Sequence, residues 1–376
     1  MVLVQKELQN AYIGEYVIPQ RTFTISRTEQ SDMSSWWTYS DDAAWLTAGS
    51  TAFDEFFWYS WVRLNSSWVE TSEITQTQSW WGWKLDITQL GTLTSGDNVM
   101  IKFPKRWVKM TKSWSVVTLS ITNEENKSWY QYYAFTRWTT IKDNLYIGAY
   151  AMSSWNVSLS WKAPQWWVSP VDFYNNIINT YWVSWYSMLW IYQRWYISAL
   201  YMMKYGNPDS RTVVGKWYVS WTAVKNTWAT NSQINATYWT SNTSDQMKLF
   251  WLEDWWWNSI MYVAYCMWDS SRHLIVNQTA TLTNSSVYST DNYPIGLWGA
   301  GTSGWFSSII WTNDCMFLPA NANGSETTYY RERTRNQTSR AVCAWANYWQ
   351  AGWVFTLDYT TTGSTYAENW TRLMKL

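Results

Sequence analysis

Histidine is nearly absent. The 376-residue chain has one, His273, and only three cysteines, Cys266, Cys315 and Cys343. A zinc site needs three or four His or Cys ligands at close spacing, so that chemistry is excluded. Cysteines that are odd in number and far apart give no disulfide framework. Neither sign of charge is in excess, with 27 basic side chains against 27 acidic ones. Such a balance lacks the electrostatic footprint of a nucleic-acid binder or of a protein held on an acidic membrane. Long hydrophobic runs are missing too: the most apolar stretch, Tyr186 to Tyr205, is broken by Gln193 and Arg194 and makes a poor membrane span. The opening Met1-Val2-Leu3-Val4-Gln5-Lys6-Glu7 has no signal-peptide core, which predicts a soluble chain made without a Sec-type signal. No nucleic acid, membrane insertion, metal or cofactor is expected.

Glycine is also scarce, at 15 residues, against a usual share of about 7%. Tryptophan is in great excess, at 37. The two anomalies are related by position. Asn65-Ser66-Ser67-Trp68, Thr111-Lys112-Ser113-Trp114, Asn126-Lys127-Ser128-Trp129, Ser153-Ser154-Trp155-Asn156 and Asn226-Thr227-Trp228 are polar turn strings with tryptophan where a turn wants glycine. The runs Trp80-Trp81-Gly82-Trp83 and Trp255-Trp256-Trp257 make poor packed cores and good glycine-rich loops. Tyrosine and phenylalanine fall instead in alternating, strand-like contexts. This pattern predicts that most of the tryptophans are UGA codons from a source that reads UGA as glycine. The alternative, a true tryptophan-rich carbohydrate binder, would expose far more apolar surface than soluble proteins carry.

The length suits two or three domains with a sizeable core. Residues 1–30 read as a lead-in of short strands, with Tyr12–Pro19 ending at a proline. Residues 31–140 read as a β-rich domain: Val99–Pro104 and Ser115–Ile121 alternate in the manner of antiparallel strands, and Asn123–Lys127 is a solvated turn. Residues 141–376 open with another strand at Asn144–Tyr150. Two helices follow. Ser169-Pro170 supplies an N-cap and a first-turn proline, and Val171, Phe173, Tyr174, Ile177, Ile178 and Tyr181 recur at helical spacing. A second helix is predicted over about Tyr186 to Tyr205, stopped by Gly206-Asn207-Pro208. The remainder reads as short strands joined by long Ser/Thr/Asn-rich loops. The fold class is therefore α+β.

No catalytic constellation emerges. His273 opens a β-branched run, a structural setting for a lone histidine. Glu253-Asp254 could hold a cation, but two adjacent acids in a loop more commonly satisfy backbone amides. EF-hand and P-loop strings are absent. The chain is not expected to be an enzyme.

Several segments carry a family resemblance. Thr38–Leu46, Asp97–Pro104, Thr136–Thr140 and Tyr146–Tyr150, then Leu200–Ser210 with Gly215-Lys216-Trp217, resemble a family of phage tail proteins whose C-terminal part has a C-type-lectin-like fold. Met247–Asn258 is similar to the family's Gly-Ile-Glu-Asp-x-Trp-Gly-Asn, with Trp251 and Trp257 standing for glycine and Trp256 for a true tryptophan. Cys343–Phe355 resembles its glycine-punctuated ligand-face segment, and Asn369–Leu373 its closing Gly-x-Arg-Leu strand. Cys343-Ala344 departs from the Gly-Gly pair usual there. The same fold occurs in the variable proteins of diversity-generating retroelements and in formylglycine-generating enzymes.

The resemblance implies an N-terminal antiparallel β domain followed by a C-type-lectin-like domain. It further implies a receptor-binding protein of the virion tail that attaches to a host surface glycan or protein and assembles, as a homotrimer, with other tail proteins. Carried onto this chain, the ligand-binding residues are Asn347, Tyr348, Gln350, Tyr359, Thr360, Thr361, Ser364 and Tyr366. Tyrosine offers contact area at low entropic cost, and small polar residues adapt their hydrogen bonds. A bacterial surface-displayed variable protein of a diversity-generating retroelement is the alternative. A formylglycine-generating oxidase is more distant, because the three cysteines match no copper-holding pair.

Overall fold

The computed structural model describes most of residues 19–213 and, beyond them, Thr227, Thr237 and residues 246–255, 260–277, 295–297, 304–325 except 314 and 315, 333–334, 340–344, 357–360 and 369–376. The described part is mostly antiparallel sheet with few helices.

Strands are numbered along the chain. The first sheet has the order β2-β1-β9-β8 and joins β1 (Thr22–Thr28), β2 (Thr38–Asp41), β8 (Trp107–Ser113) and β9 (Val116–Thr122). Its inner face holds Phe23 and Ile25 of β1 and Val117, Leu119 and Ile121 of β9, each two residues apart as the pleat requires. The second sheet has the order β13-β26-β12-β7-β3-β4. It comprises β3 (Ser60–Leu64), β4 (Glu70–Glu73), β7 (Asn98–Pro104), β12 (Asn144–Gly148), β13 (Tyr186–Met188) and β26 (Leu373–Lys375). Central β7 buries Val99, Met100, Ile101 and Phe103 without alternation, because both of its faces are covered. The expected division at residues 140/141 falls inside this sheet, which takes β3, β4 and β7 from one side and β12, β13 and β26 from the other.

The third sheet has the order β18-β17-β16-β23-β24, with β25 pairing β16 in parallel. Its strands are β16 (Ile260–Trp268), β17 (Leu274–Val276), β18 (Ile295–Leu297), β23 (Arg340–Ala344), β24 (Asp358–Thr360) and β25 (Asn369–Trp370). Short two-stranded ribbons complete the set. They pair β5 (Gln76–Ser79) with β6 (Gly82–Leu85), β10 (Thr136–Arg137) with β11 (Thr140–Ile141), and β14 (Lys248–Leu249) with β15 (Leu252–Glu253). Likewise β19 (Gly304–Trp305) pairs β22 (Arg333–Thr334), and β20 (Ser308–Trp311) pairs β21 (Met316–Asn321).

The helices are α1 (Ala52–Phe57), α2 (Pro170–Tyr181), α3 (Ile191–Tyr205) and α4 (Ser210–Val213). α2 starts where the Ser-Pro signal predicts: Ser169 Oγ accepts the Asp172 N–H at 3.1 Å and donates to the Asp172 carboxylate at 2.7 Å. α3 differs from expectation at its start. Tyr186–Met188 is a strand beside β26, and extended backbone at Trp190 (φ −93°, ψ 160°) separates it from the helix. The strand was hidden because its apolar residues continue the helical pattern. Every residue from Ile191 to Lys204 is buried, so α3 is packed on all sides. Gly206 ends it in the left-handed region, donating its N–H to Met202 O at 2.8 Å. A Cβ there would press within 3.1 Å of the Tyr39 hydroxyl.

Residues 369–375 join the second and third sheets. β25 lies beside β16, and β26 lies between β12 and β13. Between them, Thr371 Oγ1 donates to Tyr262 O at 3.2 Å, and Arg372 donates to Gly148 O and Ala149 O at 2.8 and 3.0 Å.

Candidate functional site

The residues expected to bind ligand divide by visibility. Tyr359 and Thr360 lie in β24, paired with Val342 and Ala341 of β23. Asn347, Tyr348, Gln350, Thr361, Ser364 and Tyr366 lie outside the described residues. Their anchors are nonetheless defined. Residues 345–357 run from β23 to its hydrogen-bonded neighbour β24, and residues 361–368 run from β24 to β25. Both segments therefore begin and end on strands of a single sheet: the first joins neighbours β23 and β24 at its edge, and the second leads from β24 to β25, which lies beside β16.

A cleft of about 350 Å³ lies elsewhere, lined by Trp37, Tyr39, Leu46, Thr47, Ala48, Tyr205 and Gly206. Sequence reading missed it because its walls come from the β2 region and from the end of α3, more than 150 residues apart, and no local pattern links them. Tyr39 donates its hydroxyl to Lys204 O at 3.3 Å. Burial pushes the Tyr39 and Tyr205 phenols well above their ordinary range. They stay protonated and can hydrogen-bond, but they supply no base. The cleft is at the lower end of ligand-pocket sizes, and no charged side chain is among its described lining.

Several buried ionisable groups are held by bonds within the fold. Glu253 and Asp254 are buried, and the Asp254 carboxylate accepts from Gln246 Nε2 while its N–H donates to Met247 O at 2.7 Å. Burial first, and the neighbouring Glu253 second, raise the Asp254 carboxyl well above the usual range. Arg372 Nη2 donates to Glu253 O, and burial lowers its guanidinium to about 9. Lys248, opposite Glu253 in the β14–β15 ribbon, is lowered by burial to about 7. Its ammonium sits 4.1 Å from the centre of the Trp251 ring.

His273 closes the β16–β17 turn: Asp269 Oδ1 accepts the N–H groups of Ser271 and His273 at 2.7 and 2.8 Å. Burial raises the Cys266 thiol well above its ordinary value and keeps it from forming the thiolate. Among the described residues, no three His, Cys, Asp or Glu side chains converge, and no helix is long and apolar enough to cross a membrane. No family model, curated protein or solved structure matches the chain, so these sites are read from their own geometry.

Proposed function

We propose that the chain is a receptor-binding protein of a phage tail, attaching to a host surface glycan or protein through a loop face on a C-type-lectin-like C-terminal domain. The observation that supports this most is the common anchoring of the two candidate segments. Both are strung between strands of one sheet, and that sheet is tied to the rest of the core through Thr371 and Arg372. A sheet that fixes the two ends of such a segment suits recognition, because side chains outside the core vary without disturbing it. Residues 361–368 are rich in Thr, Ser and Tyr, and residues 345–357 contribute Asn347, Tyr348 and Gln350, side-chain types that bind by contact area and adaptable hydrogen bonds.

The test is binding of the purified chain to a glycan array and to cells of a bacterial strain panel, with Asn347, Tyr348 and Gln350 replaced together by alanine as the comparison. Saturable binding that the triple variant loses, with unchanged circular dichroism, supports the reading. Binding lost instead on Tyr39→Ala moves the site to the cleft and overturns it. A bacterially encoded variable protein makes the same contacts. Tail and baseplate genes beside the coding sequence separate the phage protein from it. Conversion of a Cys-x-Pro-x-Arg peptide would point to the oxidase instead.

A further inference from the structure

Thirteen residues other than glycine have positive φ among the described residues, and six of them are tryptophan: Trp58, Trp114, Trp129, Trp138, Trp167 and Trp251. Their φ values run from 53° to 70°. This region suits glycine, and asparagine or aspartate to a lesser degree; a bulky side chain there is an outlier. One such tryptophan would be a local peculiarity. Six in one chain need a common cause.

Five of the six occupy positions where a specific turn selects glycine. Trp58 is the residue just past α1, in the left-handed region, donating its N–H to Asp54 O at 2.9 Å, which is the C-terminal glycine cap. Trp114 is the first of two residues joining β8 to β9, whose ends Ser113 and Val116 are paired. Trp138 holds the same place between β10 and β11, where Arg137 pairs Thr140. Tight two-residue hairpin turns require positive φ at that first position. Trp129 is the third residue of a turn closed by the Tyr130 N–H donating to Lys127 O at 3.3 Å, and positive φ at the third position marks the type II turn, which takes glycine. Trp251 is the second of two residues, both with positive φ, between the paired Leu249 and Leu252. That is the Asn-Gly type of hairpin turn, with tryptophan at the glycine place.

Packing gives no competing reason for an indole at four of these sites. Trp114 is 97% exposed, Trp129 80%, Trp167 61% and Trp58 50%. Large apolar groups are seldom set out singly on strained turns, since exposure forfeits the burial that would offset the strain. Trp195 shows the opposite combination: it lies inside α3, is 1% exposed, and packs edge-on to Tyr192 at 5.3 Å. Glycine would weaken a helix at that position.

We infer that Trp58, Trp114, Trp129, Trp138, Trp167 and Trp251 are glycine in the natural protein, encoded by UGA in a source that assigns this codon to glycine, whereas Trp195 is a true tryptophan encoded by UGG. Backbone geometry thereby sorts the tryptophans that composition alone cannot. One functional consequence follows directly. The exposed indoles at 58, 114, 129 and 167 are not a glycan-stacking surface, and the binding face has to be sought among residues whose identity does not depend on the code.

The experiment reads the codons at these seven positions and sequences, by mass spectrometry, the matching peptides of the protein recovered from its natural source. The expected result is UGA with glycine at the six and UGG with tryptophan at 195. Tryptophan in the peptides at most of the six overturns the inference, whichever codon is found. Glycine at 195 as well overturns the sorting by backbone geometry. Neither result depends on whether the chain binds a receptor.

Discussion

Left-handed backbone costs a residue with a Cβ about 1–2 kcal/mol, and at Trp114 the side chain points into solvent and returns none of it. Trp114→Gly in the recombinant chain is therefore expected to raise stability by about 1 kcal/mol, less the small entropy cost of glycine in the unfolded chain. Trp195→Gly is expected to lower it by at least ~3 kcal/mol, the usual loss on emptying a large core site. Urea denaturation midpoints of the two variants check both signs. Lys248 gives a residue-level test of pH. Its ammonium titrates near 7 in the fold and at 10.5 when free. Between these values the unfolded chain holds a proton that the folded chain has shed, so this group makes stability rise with pH. Asp254 acts with the opposite sign, because its raised carboxyl keeps a proton that the unfolded chain loses above 3.8. Lys248→Met is expected to remove the Lys248 contribution, leaving a smaller rise in denaturation midpoint between pH 7 and 10 than in the parent chain. Equal slopes in the two proteins would refute the assignment.

Elements were legible where their signals are local. The Ser169-Pro170 pair marks the start of α2, Gly206 marks the end of α3, and the alternation in Ser115–Ile121 marks β9, which runs over Val116–Thr122. Ser169→Ala should cost about 1 kcal/mol of stability, as the loss of a helix cap does, measured by thermal melting. Tyr186–Met188 was not legible, because its strand character comes from a partner, β26, almost 190 residues away in sequence. The ion pair between α1 and α3 was equally hidden. Lys204 Nζ lies 2.6 Å from both Asp54 oxygens, with its side chain only 6% exposed. Asp54→Ala leaves that ammonium buried without its partner, and a loss of about 3–5 kcal/mol is expected. Adding Lys204→Met should restore most of it, which a double-mutant cycle measures. Of the candidate binding residues, the sequence pointed to Tyr359 and Thr360 in a region that folds as the last described strand of a sheet. It offered no hint of the Tyr39–Tyr205 cleft, whose walls meet only in the folded chain.

At the scale of the whole molecule, residues 369–375 tie the second sheet to the third, beside a second link in which the Ala264 N–H of β16 donates to Leu189 O at 2.8 Å. A chain ending at residue 368 loses β26 from between β12 and β13 and removes the Arg372 bonds to Gly148 and Ala149. It is expected to lose cooperative thermal unfolding rather than merely to melt earlier. The proposed function adds a requirement that the fold of one chain does not meet. Polar loop faces bind weakly one at a time, whereas linked copies can raise apparent affinity by about 10²–10⁴ without a new contact. A receptor-binding tail protein should therefore present several copies, and a trimer is expected in light scattering at micromolar concentration. Adsorption to cells should then fall far more steeply than array binding when the assembly is diluted into monomers. A chain that is monomeric at micromolar concentration, yet adsorbs tightly and saturably, would show that one face suffices and would remove the avidity argument.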